Sequence, residues 1–211
     1  MPDILVYSLL KNKMAKKIDQ FNIVIAGIGG QGLITLLRII GEAALFEGHD
    51  VKTSELHGLS QRGGSVEVHI RFGKKIYSPM ISTGKADLIL GLEMQEAVKA
   101  GFYGNPKTKF LINRQIIPIP LVKSLSEEKI IQTLKKISKN INLVPAGKIC
   151  QEKLGTNVVA GIYLISLASF KNLIPIRPNS ISYAIKKIIP EKYLELNLKT
   201  FNLARKSEVK G

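Results

Sequence analysis

Residues 21–26 (FNIVIA) are apolar without interruption, the pattern of a strand buried on both faces inside a parallel sheet. A glycine turn follows, Gly27-Ile28-Gly29-Gly30-Gln31-Gly32. Beyond it Leu33, Leu36, Leu37, Ile40 and Ala44 recur at helical spacing, with Arg38, Glu42 and Glu47 off that stripe and Gly48 as a stop. Residues 50–56 read as a short second strand. Strand, glycine turn, helix and strand together predict a Rossmann-like βαβ unit with a right-handed crossover.

The pattern then changes. Val66, Val68 and Ile70 alternate with Glu67, His69 and Arg71, which predicts a half-buried strand, antiparallel or at an edge, with the polar set facing out. Residues 74–81 are its expected hairpin partner, turned at Gly73-Lys74. Buried strands are expected at 86–91 and 109–113, with a helix at 94–100 between them, and a strand end at 143–145. Ser124 and Glu127 form a capping box for a helix that buries Ile130, Ile131, Leu134 and Ile137. Residues 156–170 predict a helix apolar on most sides. Ala160, Gly161 and Ala168 let it approach a neighbour closely, so it is expected to leave an apolar face for a partner. From Ser180 onward the chain reads as two lysine-rich helices broken at Pro190. The expected fold is α/β: a single three-layer domain over 21–211, with a mostly parallel, mixed sheet and a lysine-rich helical C-terminal part. Residues 1–20 read as an N-terminal arm or an extended start, because Met14-Ala15-Lys16-Lys17 resembles a natural beginning. The apolar run from Ile4 to Leu10 has its lysines after it, so it is a poor signal peptide.

Composition narrows the function classes. The 211 residues are 45% hydrophobic, enough for a packed core and too apolar for a disordered tail. The net charge of +15 favours anionic partners. Cys150 is the single cysteine, so the chain alone cannot hold a disulfide, a cysteine zinc site or an iron–sulfur cluster, and no metal site is expected. Its apolar neighbours predict a buried thiol. No apolar run reaches the roughly 18–20 residues of a membrane span, and the expected location is cytoplasmic. His49 and His69 are expected to be solvated. The lysines are dispersed over helix faces and tryptophan is absent, so a platform for nucleic-acid bases is not evident.

Two stretches carry candidate chemistry. Gly27, Gly29 and Gly32 match G-x-G-x-x-G, and together with Gly30 and Gln31 they place backbone N–H groups at a helix N-terminus, a preformed anion site. The alternative is a tight turn in which glycine only allows close packing. Glu55 stands where a dinucleotide fold carries its ribose-binding acid. The loop His57-Gly58-Leu59-Ser60-Gln61-Arg62-Gly63-Gly64 starts at a strand's carboxyl end, where ligands of open sheets collect. His57, Gln61 and Arg62 are its catalytic candidates. Arg62 suits a phosphate or carboxylate, and Gly63 and Gly64 admit a ligand to the backbone. The alternative is a hairpin-entry loop with an internal Arg62 salt bridge.

The glycine turn, then Glu55-Leu56-His57-Gly58 with Gln61-Arg62-Gly63-Gly64-Ser65, then Tyr77-Ser78-Pro79, resembles the gamma-type domain of 2-oxoacid:ferredoxin oxidoreductases. The His-Gly to Gln-Arg-Gly-Gly form is most similar to the small (beta) subunit of indolepyruvate ferredoxin oxidoreductases. Leu154-Gly155 with Asn157-Val158-Val159-Ala160-Gly161 resembles the family's closing helix. The resemblance runs over residues 21–170. It implies oxidative decarboxylation of indolepyruvate and other aryl pyruvates to aryl-acetyl-CoA, with reduction of ferredoxin. It also implies a division of labour in which thiamine diphosphate and [4Fe–4S] clusters sit on a large partner subunit, coenzyme A is co-substrate, and this chain binds no cofactor alone. The residues above, Gly27, Gly29, Gly30, Gln31, Gly32, Arg62, Gly63 and Gly64, would then help to hold anionic groups. Two other readings stay open: a free-standing NAD(P)-binding reductase using the glycine turn and Glu55, and a basic nucleic-acid-binding module.

Overall fold

The computed structural model describes residues 18–57, 64–118 and 124–208. Six strands form one sheet: β1 (Gln20–Ile28), β2 (Asp50–His57), β3 (Ser65–Gly73), β4 (Leu88–Gly91), β5 (Lys109–Asn113) and β6 (Ile141–Val144), in the order β2-β3-β1-β4-β5-β6. β1, β4, β5 and β6 pair in parallel, whereas β3 runs antiparallel to both β1 and β2. The sheet is therefore mixed and mostly parallel. The helices are α1 (Leu33–Phe46), α2 (Met94–Ala100), α3 (Glu127–Lys135), α4 (Ala146–Leu154), α5 (Ala160–Phe170), α6 (Pro178–Ile188) and α7 (Glu191–Glu208).

Strand alternation sorts the core into two sides. Ile23, Ile25, Leu88, Leu90 and Leu111 face α1 and the helices α4–α7. Val24, Ala26, Ile89, Phe110 and Ile112 face α2 and α3. Both faces of the central strands are thus covered, which is why their sequences read as continuous apolar runs.

Several expectations change. β3 takes the antiparallel alternative and lies inside the sheet, not at its edge. Its hairpin connection to β2 lets it enter the sheet between β1 and β2, so the first βαβ unit is split and Glu55 sits two strand spacings, about 10 Å, from β1. A dinucleotide reading needs that acid beside the glycine turn, and this topology withholds it. Residues 74–81 form no strand. They cross the polar face of β3 instead, where Ile81 is buried. Of the set expected to face water, His69 and Arg71 lie beneath them, while Glu67 stays partly exposed. His69 is 0% exposed. Its Nδ1 accepts the N–H of Ile81 (3.1 Å), and its Nε2 lies 3.0 Å from Glu67 Oε1. Arg71 donates to the carbonyls of Ser78 and Met80.

The cap of α3 is Ser126, whose hydroxyl accepts the N–H of Lys129, and not Ser124. The helix expected over 156–170 begins at Ala160. Its apolar faces are covered by the chain's own C-terminal helix: Phe170 packs on Phe201 at 5.0 Å between ring centroids, and Tyr163 hydrogen-bonds Ser207 (2.8 Å). Most of the face expected for a partner is therefore interior, and Val158, just ahead of the helix, is its exposed part. His49 is also buried, against Phe72.

Candidate functional site

β1 and β4 are neighbours in the sheet, yet β1 leads into α1 on one face and β4 into α2 on the other. Chains diverging in this way open a crevice at the carboxyl ends of the two strands. The glycine turn forms one wall. Gly30 (φ +101°) and Gly32 (φ +78°) hold left-handed conformations that favour glycine. A side chain at Gly27 would meet Gln31 Oε1 at 2.7 Å and Leu92 Cβ at 3.1 Å, so this position serves close packing. Gln31 Oε1 accepts the N–H of Ile28 (2.7 Å), and Gly29 N–H donates to the carbonyl of Gly64 (2.9 Å). The turn is thereby tied to the last residue of the β2–β3 loop. Gly32 is the N-cap of helix α1, which has no side-chain cap and no acid in its first turn, and Leu36 N–H donates to the Gly32 carbonyl. The N–H groups ahead of that bond keep the partial positive charge of a helix N-terminus.

The opposite wall is built from the ends of β4 and β5. Glu93, fully buried, caps α2 by accepting the N–H of Glu96 (2.8 Å), and its other oxygen accepts the N–H of Ile117 (3.2 Å). Burial pushes its carboxyl above the ordinary range, opposed by those N–H donors and that of Gln95. Asn113 donates to the Leu92 carbonyl and to Gln115 Oε1, and accepts the N–H of Gly147. Residues 113–117 are therefore stitched both to β4 and to the start of α4.

Between the walls lies a cavity of about 240 Å³ lined by Gly30, Gln31, Leu92, Asn113, Gln115 and Asn157, among others. The oxygens of Gln31 and Gln115 are engaged internally, so their N–H₂ groups are the donors left for a ligand. Such a surface recognises carbonyl, carboxylate or phosphate oxygens. Among the described residues its lining has no charged side chain.

Of the residues expected from sequence, the structure gathers Gly27, Gly29, Gly30, Gln31, Gly32 and Gly64 at this crevice. His57 ends β2, opposite Val66. Gln61, Arg62 and Gly63 lie outside the described residues. Glu93, Asn113 and Gln115 were missed as site residues. Their signal was position, since each lies at, or two residues beyond, the carboxyl end of a buried strand. Cys150 is buried within α4, and burial pushes its thiol up to about 11, unsuited to ligating metal. Among the described residues, no helix is long and apolar enough to cross a membrane.

The family model described as pyruvate ferredoxin/flavodoxin oxidoreductase matches residues 22–207. The chain is 33% identical over 197 residues to the indolepyruvate oxidoreductase subunit IorB of Archaeoglobus fulgidus, covering 91% of this chain and 97% of that protein. A solved keto/oxoacid ferredoxin oxidoreductase gamma subunit from Geobacter sulfurreducens shares the fold with a TM-score of 0.64 at 20% identity, covering 90% of this chain and 99% of that one. The 2-oxoglutarate:ferredoxin oxidoreductase of Magnetococcus marinus, solved with 2-oxoglutarate, coenzyme A and succinyl-CoA, contains the same fold (TM-score 0.65, 18% identity, 90% of this chain) within 31% of a longer chain. With a family match across nearly all its length and a relative at this identity, the chain belongs to the pyruvate ferredoxin/flavodoxin oxidoreductase family.

Proposed function

We propose that this chain is the small subunit of a 2-oxoacid:ferredoxin oxidoreductase acting on indolepyruvate and other aryl pyruvates in the cytoplasm. The observation that carries the reading is its end-to-end similarity to an indolepyruvate oxidoreductase subunit. Oxidative decarboxylation yields the aryl-acetyl-CoA and passes electrons to ferredoxin. Thiamine diphosphate would supply carbanion stabilisation and [4Fe–4S] clusters one-electron transfer, both from outside this chain. The residues here do not fit either group: the one thiol is sealed in the core, and the crevice offers neutral carboxamides and backbone N–H groups. A large subunit brings both cofactors.

In that complex this chain supplies a wall. The crevice donors and the glycine turn orient acceptor oxygens of coenzyme A or of the substrate, and Arg62, in the adjoining loop, supplies the charge that the crevice lacks. The test is to purify this chain alone and together with its cognate large subunit. The chain alone is expected to be colourless and inactive. The pair should reduce ferredoxin in a manner dependent on indolepyruvate and coenzyme A. Turnover by the isolated chain, or an assembled pair inert toward every 2-oxoacid tried, overturns the reading.

A further inference from the structure

Beside the crevice runs a second, more apolar groove of about 450 Å³. Its floor is Leu36, Val159 and Ile162, and its far wall is the α6–α7 junction, Ile188-Ile189-Pro190, with Tyr193 and Leu196. Gln31, Val158 and Gly161 line both hollows, so the groove continues directly from the crevice. Val158, on the shared ridge, is 82% exposed, and Tyr193 is 51% exposed. Large apolar side chains held out beside an apolar hollow mark a contact surface.

We infer that this groove seats a segment of the large, cofactor-bearing subunit that carries apolar anchors and a carboxylate. The inference rests on the function proposed above. Two observations choose the occupant. Arg38 is the one charged side chain in the lining and makes no ion pair among the described residues, so the incoming segment brings the matching acid. The groove also opens into the crevice, which among the described residues has no charged or thiol side chain to hold a cofactor. A subunit that brings cofactors to the crevice meets the ridge the two hollows share, and burying Val158 and Tyr193 there supplies the desolvated centre that interfaces depend on.

The experiment uses the complete chain co-expressed with its cognate large subunit. A photo-reactive amino acid replaces Tyr193, and Arg38→Glu and Tyr193→Asp are made separately. Both side chains are exposed, so these variants fold, which circular dichroism checks. A crosslink from position 193 to the large subunit, with assembly weakened at least tenfold in each variant by native mass spectrometry, is the expected result. A crosslink to a second copy of this chain, or to its own residues 1–17, overturns the inference. So does undiminished assembly of both variants, which leaves the proposed function standing. Failure of the unmodified chain to assemble overturns the proposed function as well, and that result needs no variant to read.

Discussion

Gln31 closes the glycine turn with its own side chain: its Oε1 accepts the backbone N–H of Ile28 at 2.7 Å. Part of the glycine turn is therefore satisfied within the protein before any ligand arrives. Gln31→Leu would leave a buried N–H without an acceptor, a loss of about 1–3 kcal/mol. Gln31→Glu keeps the acceptor and should lose much less. Denaturant midpoints at unchanged m-value would show the difference. Equal midpoints for the leucine and glutamate variants would mean that the bond does not hold the turn.

Glu93 does for the opposite wall what Gln31 does for the turn. Glu93→Ala removes the cap of α2 and frees the N–H of Ile117, so about 1–3 kcal/mol of stability should go. Glu93→Gln retains one carbonyl oxygen but points an N–H₂ at a donor, and should recover only part. Amide exchange offers a local readout. Glu96 and Ile117 should exchange faster in the alanine variant, while the amides of β1 follow only the global change.

The layers of this fold were legible because each central strand announces itself as an apolar run, as in residues 21–26 and 109–113. Helix 94–100 appeared where expected. What misled was alternation. Glu67, His69 and Arg71 carry the pattern of a solvated face, but a chain segment without regular structure, residues 74–86, crosses His69 and Arg71, and no periodicity signals a covering loop. His49 misled for a related reason: a polar residue just after a helix stop is usually wet, and here Phe72 closes over it. At the site, glycines revealed the turn. Asn113 and Gln115 did not stand out, because a carboxamide after a strand has the same spelling in a loop of no consequence.

His49 also sets a pH dependence. Its ring is buried and its Nε2 has no partner among the described residues, so burial holds its pKa below the ordinary 6.5, with Glu47 opposing. The unfolded chain then binds a proton that the folded chain refuses. Stability is full above about pH 6.5 and declines as the pH falls from there toward the lowered value. His49→Phe removes both the titration and the orphaned nitrogen. Urea midpoints at pH 7.5 and 5.5 should differ less in the variant than in the parent, with stability at pH 7.5 retained. A parent with equal midpoints at the two values would refute the assignment.

The last expectation concerns Arg62, two residues before the Gly64 carbonyl that anchors the glycine turn. That anchor fixes Gly64 beside the crevice, whose lining among the described residues has donors but no charged side chain. Under the function proposed above, Arg62 supplies that charge, since its planar fork matches a carboxylate or phosphate. Losing one charge-assisted contact costs about 1.5–3 kcal/mol, roughly ten- to a hundredfold. Arg62→Ala should therefore lower kcat/KM of the assembled complex by that order while the complex still forms. Arg62→Lys keeps the charge without the fork and should restore part of the loss. If Arg62→Ala blocks assembly instead, the residue belongs to the interface with the large subunit. If it changes neither activity nor assembly, the loop takes no part in binding, and the anionic group must be held by the carboxamides and the α1 N-terminus alone.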